Sequence, residues 1–235
     1  MATTCLISGT NTGVGKTAVT SALAAYLKTF HPQQNVAIFK PIQSGVGDRE
    51  HYAEQFNLSQ TLAQITPLYF DAPLAPPLAA AAEGKTIDLG LAWQTFQSLQ
   101  QSHDWVLVEG VGSLGSPITA ELTVADLAHD WKLPTILVIP VRLGAMGQAI
   151  AQIALAKQSR VNIRGLILSC PEPCSKQDIE NWASIDLLES FTRCPVLGIL
   201  PYQNDLSLEN LTQAAAQWDI ETLLPHAASH RLKTG

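Results

Sequence analysis

The sequence of 235 residues has few charged side chains, few cysteines and no long apolar run. Only 14% of its residues are charged, with 14 basic residues against 20 acidic ones. No apolar stretch reaches the roughly 20 residues that a membrane-spanning helix needs, so we expect no membrane partner. No cluster of lysine and arginine is present to neutralise a nucleic-acid backbone, and we expect no nucleic-acid partner either.

The four cysteines, at positions 5, 170, 174 and 194, are too few for a disulfide framework in a chain of this length. Cys170-Pro-Glu-Pro-Cys174 has the spacing of half a metal site, but no second pair matches it. We therefore expect reduced structural thiols. Because a strand follows Met1 at once and leaves no room for a signal peptide, we also expect a cytoplasmic protein.

The segment Gly9-Thr-Asn-Thr-Gly-Val-Gly-Lys-Thr17 is the strongest motif in the chain. It lies between an apolar strand, Thr4–Ser8, and a segment with helical periodicity, Ala18–Lys28. Backbone N–H groups in such a glycine-rich turn point at one spot and favour an anion there. Lys16 adds a cation for phosphates, and the Thr17 hydroxyl is suited to Mg²⁺. This order of strand, loop and helix indicates a nucleotide site.

Strands and helices alternate along the rest of the chain, with no repeat or linker that would divide it. The other predicted strands are Asn35–Phe39, Pro67–Phe70, Asp104–Glu109, Pro134–Ile139, Ile163–Ser169 and Pro195–Leu200. The other predicted helices are Leu78–Glu83, Asp88–Ser102, Thr123–Trp131, Gly144–Ser159, Lys176–Ser190 and Leu208–Trp218. This pattern predicts one α/β domain over residues 1–235: a three-layer phosphate-loop NTPase fold, with a mostly parallel central sheet and helices on both faces.

Parallel sheets bind ligands at the carboxyl ends of their strands. The segments that follow the predicted strands should therefore share one rim: Thr10–Thr17, Lys40–Asp48, Glu109–Gly115, Val141–Gly147, Ser169–Cys174 and Pro201–Asn204.

Three residues on this rim have the chemistry of a phosphate site. Glu109 ends a buried strand and would lie near Thr17, where a carboxylate can bind Mg²⁺; the alternative is a salt bridge at the surface. Lys40 would supply a second cation, although a lysine followed by proline is also common in ordinary loops. Asp48 begins a predicted helix, and an N-cap role fits the pattern equally well.

Three segments in this order resemble the signature blocks of the dethiobiotin synthetase family. They are Gly9–Thr17, Lys40-Pro-Ile-Gln-Ser-Gly45 and Trp105-Val-Leu-Val-Glu-Gly-Val-Gly112. The additional residue in the phosphate loop is itself a feature of that family. The combination with the lysine block is far more specific than the first block, which many ATPases share.

The resemblance implies a homodimeric enzyme that uses Mg²⁺, ATP, CO₂ and 7,8-diaminononanoate. The implied catalytic residues are Thr12, Lys16, Lys40 and Ser44. The implied nucleotide contacts are Asn11, Thr12, Gly13, Val14, Gly15, Lys16, Thr17, Ser169 and Pro201. The implied substrate contacts are Thr12, Lys40, Ser44, Gly112 and Leu143, and the implied metal ligands are Thr17, Asp48 and Glu109. Ser169 departs from the family, which commonly has asparagine there.

Two other classes of phosphate-loop protein remain as alternatives. A partitioning ATPase shares the fold class but commonly has an additional lysine early in the loop, where this chain has Thr10, Asn11 and Thr12. A phosphate-loop kinase would use the loop and Glu109 equally well, but it has no need of the Lys40 block. A GTP-dependent switch would need an Asn-Lys-x-Asp segment, which this sequence lacks.

Overall fold

The computed structural model describes residues 2–225, and Met1 and residues 226–235 of the predicted domain lie outside the described residues. The strands are β1 Thr3–Gly9, β2 Val36–Phe39, β3 Ile42–Ser44, β4 Leu68–Phe70, β5 Trp105–Ser113, β6 Thr135–Pro140, β7 Ile163–Ser169 and β8 Val196–Leu200. The helices are α1 Lys16–Phe30, α2 Asp48–Gln55, α3 Leu62–Ile65, α4 Pro76–Ala82, α5 Leu89–Ser102, α6 Val124–Asp130, α7 Ala145–Gln158, α8 Lys176–Trp182, α9 Ile185–Thr192, α10 Leu208–Ala215 and α11 Ile220–Leu223.

The central sheet has six strands in the order β2-β5-β1-β6-β7-β8, and all of its strand pairs are parallel. Successive side chains of a strand point to opposite faces, so Leu6 of β1 packs into one apolar cluster and Ile7 into the other. Helices α5, α6 and α7 contribute to the first cluster, and α1 and α10 to the second. The predicted three-layer arrangement is therefore confirmed.

Strand β5 is longer than predicted. We expected Gly110 to end it, but the strand continues to Ser113. The register with β1 shifts there, since Ile7 pairs with Glu109 whereas Gly9 pairs with Ser113. Glycines inside a strand often mark such a bulge, which keeps the chain in the sheet while bending it. The bend lies directly beside the phosphate loop.

The predicted helix Lys176–Ser190 is wrong as a single element. It is divided into α8 and α9 at Ala183 and Ser184, where Ser184 has ψ 120° and is the N-cap of α9. Ala183 is buried at this break, which sequence periodicity alone does not reveal.

Within residues 2–225, no helix is long and apolar enough to cross a bilayer.

Beyond the predicted strands, a short second sheet forms between β3 and β4. Strand β4 corresponds to the predicted Pro67–Phe70, but it pairs with β3, which we did not predict, and not with the central sheet. Only three residues form β3, immediately after Pro41, so the segment has too little pattern for detection. This small sheet supports the segment that ends in Ser44.

The expectation that all four cysteines are reduced is wrong for one pair. Cys170 and Cys174 form a disulfide across the loop that follows β7, whereas Cys5 and Cys194 are free thiols. The Cα atoms of Cys170 and Cys174 lie 6.2 Å apart, within the span that a disulfide bridges, because the loop turns back on itself. Spacing in the sequence does not report such a turn.

Candidate functional site

The phosphate loop joins β1 to α1 and encloses the Lys16 ammonium. Gly15, at φ 92°, is the N-cap of α1 in a left-handed conformation that other residues rarely adopt. Lys16 is the first residue of that helix, and its Nζ donates to the Asn11 carbonyl at 3.2 Å. Only 6% of Lys16 is exposed. The loop therefore surrounds its own cation at a helix N-terminus, which is the arrangement that binds phosphate.

Lys40 and Glu109 meet because their strands are neighbours. Phe39 of β2 pairs with Val108 of β5, so the next residue of each strand comes to the same place. The Lys40 Nζ lies 2.8 Å from Glu109 Oε1, and both side chains are almost fully buried. Lys40 also forms an ion pair with Asp48. The alternative of a surface salt bridge for Glu109 is therefore excluded.

Thr17 connects this ion-pair cluster to the phosphate loop. Its hydroxyl donates to Asp48 Oδ1 and to Glu109 Oε1, each at 3.2 Å. Asp48 is not the N-cap of α2, because Gly47 occupies that position and Asp48 is the first helical residue. Its carboxylate contacts Thr17 and Lys40 at the rim, so the structure brings all three predicted metal ligands together.

Tyr52 belongs to the same cluster and was missed in the sequence. Its hydroxyl donates to Glu109 Oε2, and the side chain is fully buried. The available signal was helical spacing, because residues four apart on α2 share a face and Asp48 stands four residues earlier. The two oxygens of Glu109 thus have separate partners: Tyr52 holds Oε2, and Oε1 faces Lys40 and Thr17.

Burial and neighbouring charges affect the two lysines differently. Burial lowers the pKa of Lys16, and the charge of Lys40 lowers it further against the opposing pull of the carboxylates. Burial would also lower the pKa of Lys40, but Glu109 and Asp48 outweigh it and raise that pKa. Within residues 2–225, Lys16 has no ion-pair partner. Lys16 is therefore the cation available to a phosphate group.

The charge of Asp48 depends on the same pairing. Burial would raise the pKa of this carboxyl group, but the charge and hydrogen bond of Lys40 outweigh burial and lower it. Asp48 is therefore ionised near neutral pH. Two carboxylates and one hydroxyl oxygen then lie together, a donor set that suits Mg²⁺ when substrate phosphates supply further oxygens. In the described part of the chain, no group of three or more histidine, cysteine or acidic residues is placed to hold a metal alone.

The last residue of β3, at the start of the loop that leads to α2, carries an unsatisfied hydroxyl. Ser44 Oγ is buried and has no hydrogen-bond partner among the described residues. Gln43, a second residue that sequence reasoning missed, holds this loop by donating to the Gly45 carbonyl at 3.0 Å and accepting from the Arg49 N–H at 2.9 Å. A buried polar atom without a partner is costly unless a ligand satisfies it. Ser44 therefore fits a ligand-binding position.

Of the other predicted residues, two are placed against the phosphate loop. A Cβ atom built on Gly15 would lie 2.3 Å from Ser169 Oγ, and one built on Gly112 would lie 3.8 Å from Thr12 Oγ1. Leu143 is 85% exposed and Pro201 is also exposed. Their predicted contacts with substrate and nucleotide stay predictions.

Comparison with known proteins identifies close relatives. The family model described as "AAA domain" matches residues 3–210. The chain is 51% identical over 221 residues to "ATP-dependent dethiobiotin synthetase BioD" of Gloeothece citriformis, covering 94% of this chain and 98% of that protein. It is 55% identical over 223 residues to the protein of the same name from Synechocystis sp., covering 94% of each.

Solved structures show the same fold in more distant proteins. The cell division ATPase MinD of Pyrococcus furiosus superposes with a TM-score of 0.58 at 14% identity, covering 92% of this chain and 96% of that one. A ParA family ATPase from Chlorobium tepidum gives a TM-score of 0.56 at 13% identity, covering 99% of this chain and 100% of that one. At these identities the likeness concerns the fold alone.

Proposed function

Because the chain belongs to the family of ATP-dependent dethiobiotin synthetases, we propose that it closes the ureido ring of dethiobiotin from 7,8-diaminononanoate, CO₂ and ATP. One observation of the structure carries the proposal beyond the relatives' name. Two buried lysines of different electrostatic character meet at one rim: Lys16 has no ion pair among residues 2–225, and Lys40 is paired with Glu109 and Asp48. A reaction that brings two anions together needs two cations that differ in this way.

The reaction we propose has three steps. One amine of the diamine adds to CO₂ and gives a carbamate. A carbamate oxygen then attacks the γ-phosphorus of ATP, ADP leaves, and a carbamic–phosphoric anhydride forms. The second amine attacks the carbamoyl carbon, the ring closes, and phosphate leaves with the oxygen that linked it to carbon.

Each lysine has a separate role in this scheme. Lys16 binds the ATP phosphates, because its ammonium lies inside the phosphate loop. Lys40 lies beside the carbamate and the transferring phosphoryl group, where fixed positive charge stabilises the transition state. Ser44 donates its unsatisfied hydroxyl to the carbamate, and Thr12 acts from the loop beside Gly112. Holding both anions in line lowers the entropic part of the barrier.

Mg²⁺ fits the oxygen atoms of Thr17, Asp48 and Glu109, and it would neutralise charge that develops on the phosphates. The chain's own contribution is to orient these ligands. Glu109 keeps one oxygen toward Thr17 because Tyr52 holds the other. The hydrogen bonds from Thr17 place its hydroxyl next to both carboxylates.

We expect removal of the Tyr52 hydroxyl to weaken the response to Mg²⁺. In Tyr52→Phe, the ring still fills its buried site, but Glu109 Oε2 loses its partner and only Oε1 stays held, by Lys40 and Thr17. The Mg²⁺ concentration for half-maximal activity should rise about 10-fold, as is typical when a residue that orients a metal ligand is lost. Tyr69→Phe is the matched control, because Tyr69 stacks on Arg49 through its ring and is not among the hydrogen-bond partners of Glu109 in residues 2–225. Equal Mg²⁺ dependence in both variants would contradict the role of Tyr52.

Formation of dethiobiotin is the direct test of the proposed function. The purified chain is incubated with diaminononanoate, bicarbonate, Mg²⁺ and ATP, and the product is identified by mass. We expect one phosphate released per ring closed, and none of the product when the diamine is omitted. Diamine-independent ATP hydrolysis without a ring product would favour a partitioning ATPase, and phosphorylation of an acceptor would favour a kinase.

The remaining expectations come from the family resemblance, for the dimer, and from the composition and N-terminal sequence, for the location and partners. We propose that the chain forms a homodimer in the cytoplasm and acts on small molecules, with no nucleic acid or membrane as partner. Light scattering after size-exclusion chromatography measures the oligomeric state, and fractionation of cells measures the location. A monomer that is fully active would overturn the dimer.

A further inference from the structure

The loop after β7 contains a disulfide whose position is unusual for a structural cross-link. Cys170 follows Ser169 directly, and only three residues separate it from Cys174. A disulfide stabilises a fold mainly by restricting the unfolded chain, and one that closes so short a loop adds less to global stability than one that closes a long loop. Its effect is therefore local.

This disulfide restrains the loop together with the packing of Cys174 against the apolar core. Pro171, Glu172 and Pro173 are exposed, and none of residues 171–174 makes a hydrogen bond to the rest of residues 2–225. Before the loop, the Cys170 N–H donates to the Leu200 carbonyl at 2.9 Å. After it, Ser175 caps α8. Opening the disulfide would thus free the loop while both of its ends stay fixed.

The loop adjoins the nucleotide site on two sides. Ser169 packs against Gly15 of the phosphate loop, and Leu200, which holds the Cys170 backbone, is followed by the rim residue Pro201. Ser169, Cys170, Leu200 and Pro201 lie at the carboxyl ends of β7 and β8, the edge where parallel sheets bind ligands. A change in the order of this loop is therefore a change at the edge of the nucleotide site.

We propose that Cys170 and Cys174 are a reversible redox modification site that regulates nucleotide binding. The proposal rests on the proposed function, because it concerns the same nucleotide site. In the oxidised form the loop is already ordered, so the nucleotide binds without having to order it. In the reduced form part of the binding free energy is spent on that ordering, and affinity falls.

Reduction of the Cys170–Cys174 disulfide by thiol–disulfide exchange needs an external dithiol, either on a protein or in a small molecule. A thiolate of the dithiol attacks Cys174 Sγ, which is more accessible than the 5% exposed Cys170. The Cys170–Cys174 bond breaks, a mixed disulfide forms, and the Cys170 sulfur leaves with the electron pair and takes a proton. The second thiol of the dithiol then resolves the mixed disulfide, leaving two cysteine thiols and one oxidised dithiol. The reverse reaction uses the oxidised dithiol as the oxidant.

Thiol counting and nucleotide affinity together test this site. The whole chain is equilibrated with the oxidised or reduced form of a small dithiol and alkylated, and the alkylated cysteines are identified by mass. We expect two alkylated cysteines in the oxidised form, Cys5 and Cys194 after denaturation, and four in the reduced form. The Kd for Mg·ATP should be about 5-fold higher in the reduced form, the lower end of typical coupling between sites.

Two variants make the result specific. Cys174→Ser should bind Mg·ATP like the reduced form under both conditions. Cys194→Ser should keep the wild-type difference, because Cys194 is a free cysteine before the amino end of β8. Four alkylated cysteines under oxidising conditions, or the same Kd in both forms, would overturn the redox site alone. Absence of Mg·ATP binding in both forms would overturn the proposed function, and the redox site with it.

Discussion

In a Lys16→Ala variant, we expect kcat for ring closure to fall by about 10²–10³-fold, the loss typical of removing one fixed electrostatic donor. The affinity for ATP should fall as well. Lys16 has no ion-pair partner among the described residues, and its ammonium stays inside the phosphate loop. It is therefore the cation whose charge the protein leaves available for phosphate.

The Lys16→Ala variant should keep its fold. The reason lies in the burial of Lys16, whereas the sequence suggests a solvated lysine. A lysine in a glycine-rich loop would be expected to be solvated, whereas Lys16 is 6% exposed and burial lowers its pKa. The protein thus bears a cost for holding this charge away from water. Removing the charge relieves that cost, so we expect a Tm equal to or slightly above that of the wild type.

Lys28→Ala provides the matched control for Lys16→Ala. Lys28 stands in the last turn of the same helix and is exposed, with its Nζ bound to the Asn57 carbonyl. Its loss should leave kcat and the Kd for ATP unchanged. Kinetics in Lys16→Ala equal to those of this control would remove the basis for assigning the loop to phosphate.

The parts of the fold that local sequence determines were predicted well. Strand β1, the phosphate loop and α1 follow one another within 28 residues, from Thr3 to Phe30. Their apolar runs, glycines and helical spacing are local features. The rim was also predicted correctly for Thr17, Asp48 and Glu109, because the carboxyl ends of parallel strands meet at one edge whatever the loops do.

The parts that depend on contacts between distant segments were not predictable. Tyr52 holds Glu109 across 57 positions of the chain, and its helical spacing from Asp48 does not indicate that Glu109 is its partner. Gln43 acts on a loop whose shape depends on pairing between β3 and β4. The disulfide likewise depends on how the loop after β7 turns. In each case the deciding interaction is tertiary, which sequence periodicity does not encode.

Substitution of Lys40 by methionine should separate the proposed synthetase from other phosphate-loop proteins. Methionine keeps much of the apolar stem and removes the ammonium. If Lys40 stabilises charge on the carbamate and the transferring phosphoryl group, kcat should fall by about 10²–10³-fold. The Kd for ATP without diamine should change far less, because Lys16 and the backbone of the loop remain. A partitioning ATPase gives no reason for that difference.

The structure indicates that Lys40→Met also loses stability, which the sequence did not reveal. Lys40 compensates Glu109, which is only 1% exposed, so its loss leaves a buried carboxylate without a cation. Breaking one side of a buried ion pair typically costs about 3–5 kcal/mol of unfolding free energy. For a chain of this size that corresponds to a Tm lower by about 10 °C. Activity must therefore be measured well below the lowered Tm.

Two further variants distinguish lost chemistry from lost stability. Lys85→Met removes a partly exposed lysine that pairs with Glu83, and a pair of that kind contributes about 1 kcal/mol or less. It should leave kcat and Tm nearly unchanged.

Lys40→Arg keeps the cation for Glu109, so its Tm should be higher than that of Lys40→Met. The larger head group displaces the charge from the carbamate, so kcat should stay low. An unchanged kcat in folded Lys40→Met would mean that Lys40 serves only to neutralise Glu109, and the carbamate mechanism would lose its cation.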